Sequence, residues 1–320
     1  MTASTASDSR PGSLRIGVIG LGTMGWPMAG HLRAAGHRLA SWARSPERAR
    51  RAAEAGIELY ASPAELARGV QVVVTNVTST DDVEQVLLGE QGVVHGAAAG
   101  LLCIDHSTIA PQGARRIAAE LARRGVGFVD APVSGGERGA RDASLSIMVG
   151  ATPGDFERAL PLLRLLGSTV THMGACGSGQ ATKLCNQLVQ VVTIQAIAEA
   201  TRLAAAEGVD AQRMLQALGA GFAGSRMLDL MGPKMASRDF AAGIQARLHA
   251  KDFALALAAA EHDGLQLPAL RVVHEQLQQL MRHGWGNDDT SSLLRVLEQG
   301  RQPPAAGRTP PEGRRLKDAA

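Results

Sequence analysis

Residues 14–25 read LRIGVIGLGTMG and carry the strongest structural signal in the chain: a short apolar run, a glycine-rich turn and then a helical stretch. In such a turn Gly20 permits the tight bend, Gly22 lets the backbone approach a pyrophosphate, and Gly25 lets helix and strand pack closely. The helix N-terminus then directs free N–H groups and its positive dipole end at phosphates. A tight strand–helix turn without a ligand is the alternative. The predicted dinucleotide-binding residues are Gly20, Leu21, Gly22, Thr23, Met24 and Gly25.

Apolar runs of strand length alternate with helical patterns over the first half of the chain. Strands are predicted at 14–19, 39–42, 70–77, 101–105, 126–130 and 145–149, with helices at 26–35, 46–55, 82–88 and 111–123. This alternation implies parallel pairing through right-handed crossovers. Strands with little polar alternation indicate a sheet covered on both faces. The sequence therefore predicts an α/β Rossmann-type, doubly wound parallel sheet.

The sequence changes character after about residue 173. A helix predicted at 180–207 contains neither Pro nor Gly and is apolar on more than one face, so we expect it to be buried between domains or subunits. Further helices are predicted at 211–218, 247–262, 270–283 and 290–297, and no strand. The predicted organisation is a disordered tail (1–14), a dinucleotide-binding Rossmann domain (15–174), an all-α substrate and oligomerisation domain (175–300) and a second disordered tail (301–320).

Composition narrows the classes of function. The 320 residues carry a formal net charge of only +3 and no basic stripe interleaved with aromatics, which argues against nucleic-acid binding. The three cysteines, an odd number, indicate reduced thiols in the cytoplasm, and we expect Cys185 to be a small buried hydrophobe. No apolar run approaches membrane-spanning length, and the first residues lack an apolar signal core. The nine histidines show no metal-ligand spacing, so no metal site is expected.

The end of the second predicted strand bears on the choice of nicotinamide cofactor. An acidic side chain about 20 residues beyond the glycines would bind the ribose 2′-hydroxyl of NAD. The sequence there is SWARS at 41–45, with Ala43 and no acid. Arg44 can instead make charge-assisted hydrogen bonds to a 2′-phosphate, with Arg48 as a second cation, unless Arg44 is an ordinary exposed arginine. We predict that NADP(H) is preferred and that NAD(H) is a secondary cofactor.

The motif DAPVSGG at 130–136 follows a predicted strand and therefore lies at its carboxyl end. Open α/β sheets bind their ligands at such ends. Ser134 supplies a hydroxyl there, and the N–H groups of Gly135 and Gly136 are suited to a carboxylate. An ordinary glycine-rich loop is the alternative interpretation.

The motif GSGQATKLCN at 177–186 opens the long predicted helix. Lys183 and Asn186 are three residues apart and therefore share a helix face. A lysine within an apolar helix extends its ammonium to solvent, forms an ion pair or serves a site. The glycine-rich entry and the nearby Asn186 favour a site, with Lys183 as a proton-transfer group.

Motifs in register from residue 16 to about 297 resemble the β-hydroxyacid dehydrogenase family. They are GLGTMGWPMAGHL at 20–32, DHSTIAP at 105–111, DAPVSGGERGARDASLSIMVG at 130–150, GSGQATKLCNQ at 177–187, GFAGSRMLD at 221–229 and LHAKDFALAL at 248–257. The third, fifth and sixth look most like the tartronate semialdehyde reductase branch of the family. The resemblance implies hydride transfer between a nicotinamide and a small carboxylated semialdehyde or 3-hydroxyacid.

The resemblance also implies roles for individual residues. It implies that Lys183 is the catalytic acid/base and that Asn186 positions the substrate oxygen. It implies a carboxylate-binding role for Ser134, Gly135 and Gly136, and a cofactor-binding role for Thr108 and Lys251. Three departures stand out. Ala43 replaces the acid of NAD-using relatives, Asn76-Val77-Thr78 stands where relatives usually have Met-Leu-Pro, and Trp26 follows the glycine turn where smaller or polar residues are common.

Two rival functions and several substrates stay open. An imine reductase of the same architecture typically lacks the lysine, and a catalytically silent nucleotide-binding scaffold has lost it or carries added modules. Tartronate, methylmalonate and succinate semialdehydes and glyoxylate all fit a small carboxylated carbonyl. The long helix has more apolar surface than one face needs, so we expect a homodimer or a homotetramer.

Overall fold

Strands and helices alternate through the first half of the computed structural model, which describes residues 12–299. The strands are β1 (Arg15–Ile19), β2 (Arg38–Trp42), β3 (Glu58–Leu59), β4 (Val72–Thr75), β5 (Leu102–Asp105), β6 (Gly127–Asp130), β7 (Val133–Ser134), β8 (Ser146–Gly150) and β9 (Thr169–Gly174). The helices among them are α1 (Gly25–Ala34), α2 (Pro46–Glu54), α3 (Pro63–Arg68), α4 (Thr80–Leu88), α5 (Pro111–Ala122), α6 (Gly136–Arg141) and α7 (Pro153–Leu163), with a 3₁₀ turn at Val93–His95.

The rest of the described chain is helical. It contains α8 (Ser178–Ala206), α9 (Ala211–Gly219), α10 (Arg226–Ser237), α11 (Ala246–His262), α12 (Pro268–Arg282) and α13 (Leu293–Gln299), with a 3₁₀ turn at Thr290–Ser292. No strand follows Gly174 within the described residues, and a single isolated bridge joins Gln245 to Asp289. The predicted fold class, a Rossmann-type sheet followed by an all-α part, is confirmed.

The strands form one sheet in the order β3-β2-β1-β4-β5-β6-β8-β7, and β9 pairs with β8. From β3 to β6 every neighbouring pair is parallel, as predicted. The prediction of parallel pairing was wrong for β8, which runs antiparallel to β6 and β7. The chain between β7 and β8 holds only the short helix α6, and a parallel crossover needs about a dozen residues or more.

Both faces of the parallel sheet are covered. In β4, Val72 and Val74 belong to one apolar cluster, which includes residues of α1 and α7. Val73 belongs to the other, which includes residues of α3, α4 and α5. The strand order reverses between β1 and β4, so the loops after these strands flank the crevice where open sheets bind ligands.

The chain divides into two compact units. Of the described residues, the first contains 12–191 together with Leu248–His274, and the second contains Val192–Arg247 and 275–299. The predicted domain boundaries at 174/175 and at 300 stay a prediction. Of the first predicted tail, Ser13 and Leu14 are described and hydrogen-bond to Gly36 and His37. Residues 1–11 of that tail, and all of 301–320, lie outside the described residues.

Helix α8 has the length and apolar composition that would allow it to cross a membrane, with a mean hydropathy of 1.2 over its most apolar window. The expectation that no apolar run approaches that length was therefore wrong for this helix. A core helix of a protein without a membrane span meets the same two criteria, so the observation is weak evidence for a membrane. Lys183 lies within this helix.

Candidate active site

The loop after β1 has the backbone geometry that its glycines predict. Gly20 has φ +101°, and a Cβ there would lie 2.1 Å from the carbonyl oxygen of Asn76. A Cβ at Gly25 would lie 2.1 Å from the carbonyl oxygen of Gly20, so neither position accepts a side chain. At Gly22 a Cβ would meet only the Arg48 Nη1, at 3.8 Å, so the backbone there is open on one side. This loop suits a closely approaching pyrophosphate.

The N-terminus of α1 is left open for an anionic ligand. Its N-cap residue, Met24, makes no side-chain capping hydrogen bond, and the first turn contains no acidic residue. The Trp26 N–H already donates to the carbonyl oxygen of Gly22 at 3.0 Å and Pro27 has no N–H, so the positive end of the helix dipole is the main attraction that this helix end offers an anion. Leu21 is buried beneath the loop and anchors it in the apolar core, while Thr23 is exposed. The residues present fit a bound dinucleotide.

Two arginines follow β2, at the predicted position of the ribose. Arg44 Nη1 donates to Asp82 Oδ1 at 2.9 Å, and the Arg44 side chain is 79% exposed. Asp82 belongs to the first turn of α4, which Ser79 caps. Arg48 lies on α2 with its guanidinium beside Gly22. Arg44 thus keeps a solvent-exposed guanidinium, and Arg48 adds a second cation next to the phosphate loop.

The loop after β5 is anchored by a buried carboxyl group. Asp105 Oδ1 accepts hydrogen bonds from Thr75 Oγ1 at 2.7 Å and from Ser107 Oγ at 2.6 Å. Ser107 Oγ in turn accepts from the Val77 N–H at 2.9 Å, so the loops after β4 and β5 are joined. Burial raises the pKa of Asp105 to about 6. Thr108, the predicted neighbour of the nicotinamide, follows directly in this loop.

Its neighbour His106 is also buried. The Nδ1 lies 2.7 Å from the carbonyl oxygen of Ala131, so this nitrogen carries the hydrogen and donates it. Burial lowers the pKa of His106 to about 4, so the ring is neutral around pH 7. A neutral, hydrogen-bonded histidine here serves the packing of the loop.

The start of α8 is held by a second buried carboxyl group. Asp130, at the end of β6, accepts from the N–H of Gly177 at 2.7 Å and from the N–H of Gln180 at 2.9 Å. Burial raises the pKa of Asp130 to about 7, the two backbone donors oppose that shift, and the nearby Asp105 adds to it. Asp105 and Asp130 are register partners on neighbouring strands. The carboxyl end of β6 therefore anchors the helix that carries Lys183.

Lys183 is buried, with 7% of its surface exposed. Burial lowers its pKa to about 8, the positive charge of Lys251 acts in the same direction, and the carboxylate of Asp252 opposes both. A lysine with such a pKa exchanges protons near neutral pH, which an ordinary surface lysine does not. Perturbed groups of this kind concentrate at catalytic sites.

A chain of polar contacts connects Asn186 to Lys251. Asn186 Nδ2 donates to Gln187 Oε1 at 2.9 Å, and Gln187 Nε2 donates to Asp252 Oδ2 at 2.6 Å. Lys251 Nζ lies 3.1 Å from Asp252 Oδ1. The same ammonium donates to the carbonyl oxygens of Thr78 at 3.0 Å and Thr108 at 2.6 Å. Lys251 therefore lies beside the loops after β4 and β5, bonded there to backbone carbonyls, and its role in cofactor binding stays a prediction.

The proposed carboxylate site is built at the end of β7. Ser134 Oγ accepts a hydrogen bond from Gln190 Nε2 on α8 at 3.2 Å. Gly135 and Gly136 follow with φ +136° and +62°, conformations that favour glycine, and a Cβ at Gly136 would meet nothing within 4 Å. The backbone here is accessible to a ligand. Helix α8 thus contacts this loop as well as the loop after β5.

Sequence reasoning missed three glutamines of α8 that make these connections, Gln180, Gln187 and Gln190. With Lys183 they lie within about a quarter of the helix circumference, since successive residues turn by roughly 100°. Gln180 and Gln187 are buried. A polar stripe on an otherwise apolar helix was the signal that could have revealed them. Cys185, expected to be buried, is exposed because it faces away from this stripe.

The described residues contain no group of three or more His, Cys, Asp or Glu side chains that could hold a metal ion. The proton-transfer candidate of the site is a lysine, and its polar neighbours are amides, hydroxyls and one carboxylate. This donor set suits an organic substrate with an oxygen and a carboxylate to be bound. It does not resemble the closely spaced oxygen, nitrogen and sulfur ligands of a metal centre.

Comparison with known families divides the chain at the start of α8. A family model described as the NAD binding domain of 6-phosphogluconate dehydrogenase matches residues 15–174. A second, described as NAD-binding of NADP-dependent 3-hydroxyisobutyrate dehydrogenase, matches residues 177–297. Together they include the glycine loop, the loop after β5 and the whole of α8.

Individual relatives match over nearly the same length. The 2-hydroxy-3-oxopropionate reductase of Escherichia coli (strain K12) is 39% identical over 289 residues, which are 89% of this chain and 97% of that protein. The mitochondrial 3-hydroxyisobutyrate dehydrogenase of Mus musculus is 36% identical over 216 residues, 68% of this chain and 64% of that protein. The solved structure of Mycobacterium tuberculosis 3-hydroxyisobutyrate dehydrogenase with L-serine superposes with a TM-score of 0.83 at 31% identity, covering 89% of this chain and 99% of that one.

Proposed function

Because the chain belongs to the β-hydroxyacid dehydrogenase family, and is thus an NAD(P)-dependent oxidoreductase acting on CH–OH donors, we propose that it reduces a small carboxylated semialdehyde with NADPH. The observation that carries the proposal is Lys183, a buried ammonium with a pKa of about 8 on the helix anchored at the end of β6. The specific activity we propose is that of a 2-hydroxy-3-oxopropionate (tartronate semialdehyde) reductase.

Lys183 and Asn186 act on the reacting oxygen in this proposal. Bound NADPH supplies the hydride to the carbonyl carbon of the substrate. As negative charge builds on the carbonyl oxygen, protonated Lys183 donates its proton there. One hydrogen of Asn186 Nδ2 bonds to Gln187, and the other remains for the substrate oxygen. In the oxidative direction neutral Lys183 takes the proton from the hydroxyl.

Ser134, Gly135 and Gly136 bind the substrate carboxylate in this proposal. Gln190 donates to the lone pair of Ser134 Oγ, which leaves the hydroxyl hydrogen for an anionic acceptor. The unhindered backbone at Gly136 allows a carboxylate to approach its N–H. The site thereby favours substrates with a carboxylate a short distance from the carbonyl.

We propose NADP(H) as the preferred cofactor and NAD(H) as a secondary one, bound by the glycine loop, Arg44, Thr108 and Lys251. The absence of an acid at Ala43 and the exposed guanidinium of Arg44 support the preference. Arg48, beside Gly22, adds positive charge on the same side of the loop. Lys251 contributes by fixing the carbonyl of Thr108 and hence the loop beneath the nicotinamide.

Several substrates fit the same site. The relatives above carry the names of 2-hydroxy-3-oxopropionate reductase and 3-hydroxyisobutyrate dehydrogenase. Activity on methylmalonate semialdehyde or its hydroxyacid is the alternative, followed by succinate semialdehyde and glyoxylate. An imine reductase and a silent nucleotide-binding scaffold are less favoured, because this chain keeps a buried lysine with a lowered pKa.

We further propose a cytoplasmic homodimer or homotetramer whose partner is the small substrate, without nucleic acid or membrane. The three cysteines are all free, which supports a reducing compartment. Exposed small and apolar residues on α8, namely Cys185, Val189, Ala196 and Leu203, support self-association.

The test is a substrate panel with a matched lysine variant. Tartronate, methylmalonate and succinate semialdehydes, glyoxylate and a cyclic imine are assayed with NADPH and NADH by absorbance at the nicotinamide band. Lys183→Ala should turn over more slowly by a factor on the order of 10³, because it removes a general acid together with its positioning. The Kd of NADPH for this variant, measured by fluorescence, should stay within about twofold of the wild-type value. Normal turnover in that variant would remove Lys183 from the mechanism, and turnover confined to the imine would replace the proposed reaction.

A further inference from the structure

The amide of Gln180 joins α8 to the loop that contains Thr108. The side chain is completely buried. Its Nε2 donates to the carbonyl oxygen of Ser107 at 2.8 Å, and its Oε1 accepts from the N–H of Ile109 at 3.0 Å. One amide therefore holds the backbone on both sides of Thr108, and both polar ends of the side chain are used.

The helix end from which Gln180 reaches cannot shift easily. Asp130 accepts hydrogen bonds from the N–H groups of Gly177 and Gln180. A Cβ at Gly179 would lie 2.5 Å from the carbonyl oxygen of Met148 and 2.6 Å from that of Asp130, so the helix backbone rests directly on the sheet. The first turn of α8 is thereby fixed against the end of β6 and the middle of β8.

Lys183 follows Gln180 by three residues and shares its face of the helix. The same helix segment thus supports the proton-transfer group and holds the loop near which we place the nicotinamide. Lys251 adds a third attachment by donating to the carbonyl of Thr108 at 2.6 Å. The start of α8, which carries Lys183, and the Thr108 loop are therefore held together by short hydrogen bonds.

We propose that Gln180 is a positioning residue for hydride and proton transfer, setting the Thr108 loop at the working distance from Lys183. The inference rests on the proposed function. Gln180 touches neither reacting group and acts through the backbone of Ser107 and Ile109. Because a displacement of about 1 Å can cost about 100-fold in rate, loss of both bonds should reduce kcat by about that factor.

The variants are Gln180→Met, which keeps the length and removes both bonds, and Gln180→Asn, whose amide is too short to span the two backbone groups. The matched control is Thr182→Val. Thr182 lies in the same turn and donates to the carbonyl of Ser178 at 2.8 Å, without reaching the Thr108 loop. Circular dichroism and Tm are recorded for each full-length protein, so that kcat refers to folded enzyme.

The measurements are kcat with NADPH, the primary isotope effect with NADPH deuterated at the transferred hydrogen, the Kd of NADPH, and hydrogen exchange of the peptide spanning 103–112 without nucleotide. For both Gln180 variants we expect about 100-fold lower kcat, an increased isotope effect, Kd within about threefold of wild type, and faster exchange at Ile109. Thr182→Val should match wild type in all four.

Two failures are distinguishable. Wild-type enzyme that turns over nothing on the substrate panel would overturn the proposed function, and this inference with it. An active wild type whose Gln180→Met variant keeps its kcat and isotope effect would overturn the positioning role alone. A fall in kcat proportional to the loss of folded protein, with an unchanged isotope effect, would also overturn it, since Gln180 would then serve only folding.

Discussion

Lys183 is balanced between groups that act on its charge in opposite directions. Burial and the ammonium of Lys251 lower its pKa, and the carboxylate of Asp252 raises it, with a net value of about 8. Both protonation states are therefore populated near neutral pH. A single lysine can then serve as acid in reduction and as base in oxidation, which an exposed lysine with a pKa near 10.4 does poorly.

The two reaction directions should respond to pH with opposite signs. Reduction needs the protonated lysine, so kcat should be constant at low pH and fall about tenfold per pH unit above about 8. Oxidation needs the neutral lysine, so its kcat should rise through the same pH. Steady-state rates from pH 6 to 10 in both directions check this. Parallel pH profiles in the two directions would contradict the assignment.

Asp252→Asn should shift that pH profile and so tests whether Lys183 is the group that titrates. The asparagine oxygen can still accept from Gln187 Nε2, but the negative charge that stabilises the ammonium is removed. The pKa of Lys183 should fall below its wild-type value, and the reductive limb should move to lower pH. A limb that stays at the wild-type pH would show that another group titrates.

Arg44→Ala should change cofactor selection and little else. Losing a charge-assisted hydrogen bond costs about 1.5–3 kcal/mol, so the Kd for NADPH should rise at least about tenfold while the Kd for NADH stays within about twofold. The control is Arg50→Ala, which removes the same charge from an exposed position of α2. Fluorescence titrations of both cofactors measure the effect. Equal weakening of NADPH in the two variants would indicate a general charge effect and not 2′-phosphate recognition.

Among the strands and helices, the strands buried within the parallel sheet were predicted well. The predicted strands at 14–19, 101–105 and 126–130 match β1, β5 and β6 to within one residue, because buried parallel strands are nearly continuous apolar runs. β9 was missed because its side chains are mostly exposed. α10 was missed because Gly232 and Pro233 disfavour helix locally, and burial of Met231 and Met235 overrides that preference.

The sequence was enough to predict which motifs and residue types belong to the candidate site. It was not enough to predict which residues hydrogen-bond to one another there. Lys183, Asn186 and Ser134 lie in glycine-containing motifs whose place at strand and helix ends follows from the alternating pattern. The partners of Gln180 and Gln190 are 71 and 56 residues away along the chain. Only tertiary packing brings such groups together. Periodicity reveals a polar stripe on α8 but not what it binds.

Two glycine-to-alanine changes should separate close packing from helix propensity. Gly179→Ala places a Cβ against two backbone carbonyls that cannot move aside and should lower the free energy of unfolding by about 1–3 kcal/mol. Gly154→Ala in α7 meets nothing within 4 Å and should be neutral or stabilise by about 0.4–1 kcal/mol. Denaturant unfolding of both variants measures this. A neutral Gly179→Ala would show that the start of α8 does not rest tightly on the sheet.

At the scale of the whole molecule, α8 begins in the first compact unit and ends in the second. One set of its side chains faces the site, and another is exposed. Four members of the exposed set, which also includes Glu199, follow the spacing of a heptad pattern: Cys185, Val189, Ala196 and Leu203. An exposed stripe of small and apolar residues at intervals of four and seven is typical of a helix that packs against another helix. A second copy of the chain is the partner we expect.

Leu203→Glu should therefore weaken self-association. Leu203 is 64% exposed, so the change adds no buried charge within the chain, and Tm extrapolated to low concentration should stay near wild type. In an oligomer the new carboxylate would be desolvated against its symmetry mate, raising the dissociation constant at least about tenfold. Light scattering during gel filtration measures mass against the 33.3 kDa of one chain. Val272→Glu, an exposed position on α12, is the control and should leave the mass unchanged. If Leu203→Glu also left an oligomer intact, or the wild type ran as a single chain, α8 would not be the contact surface.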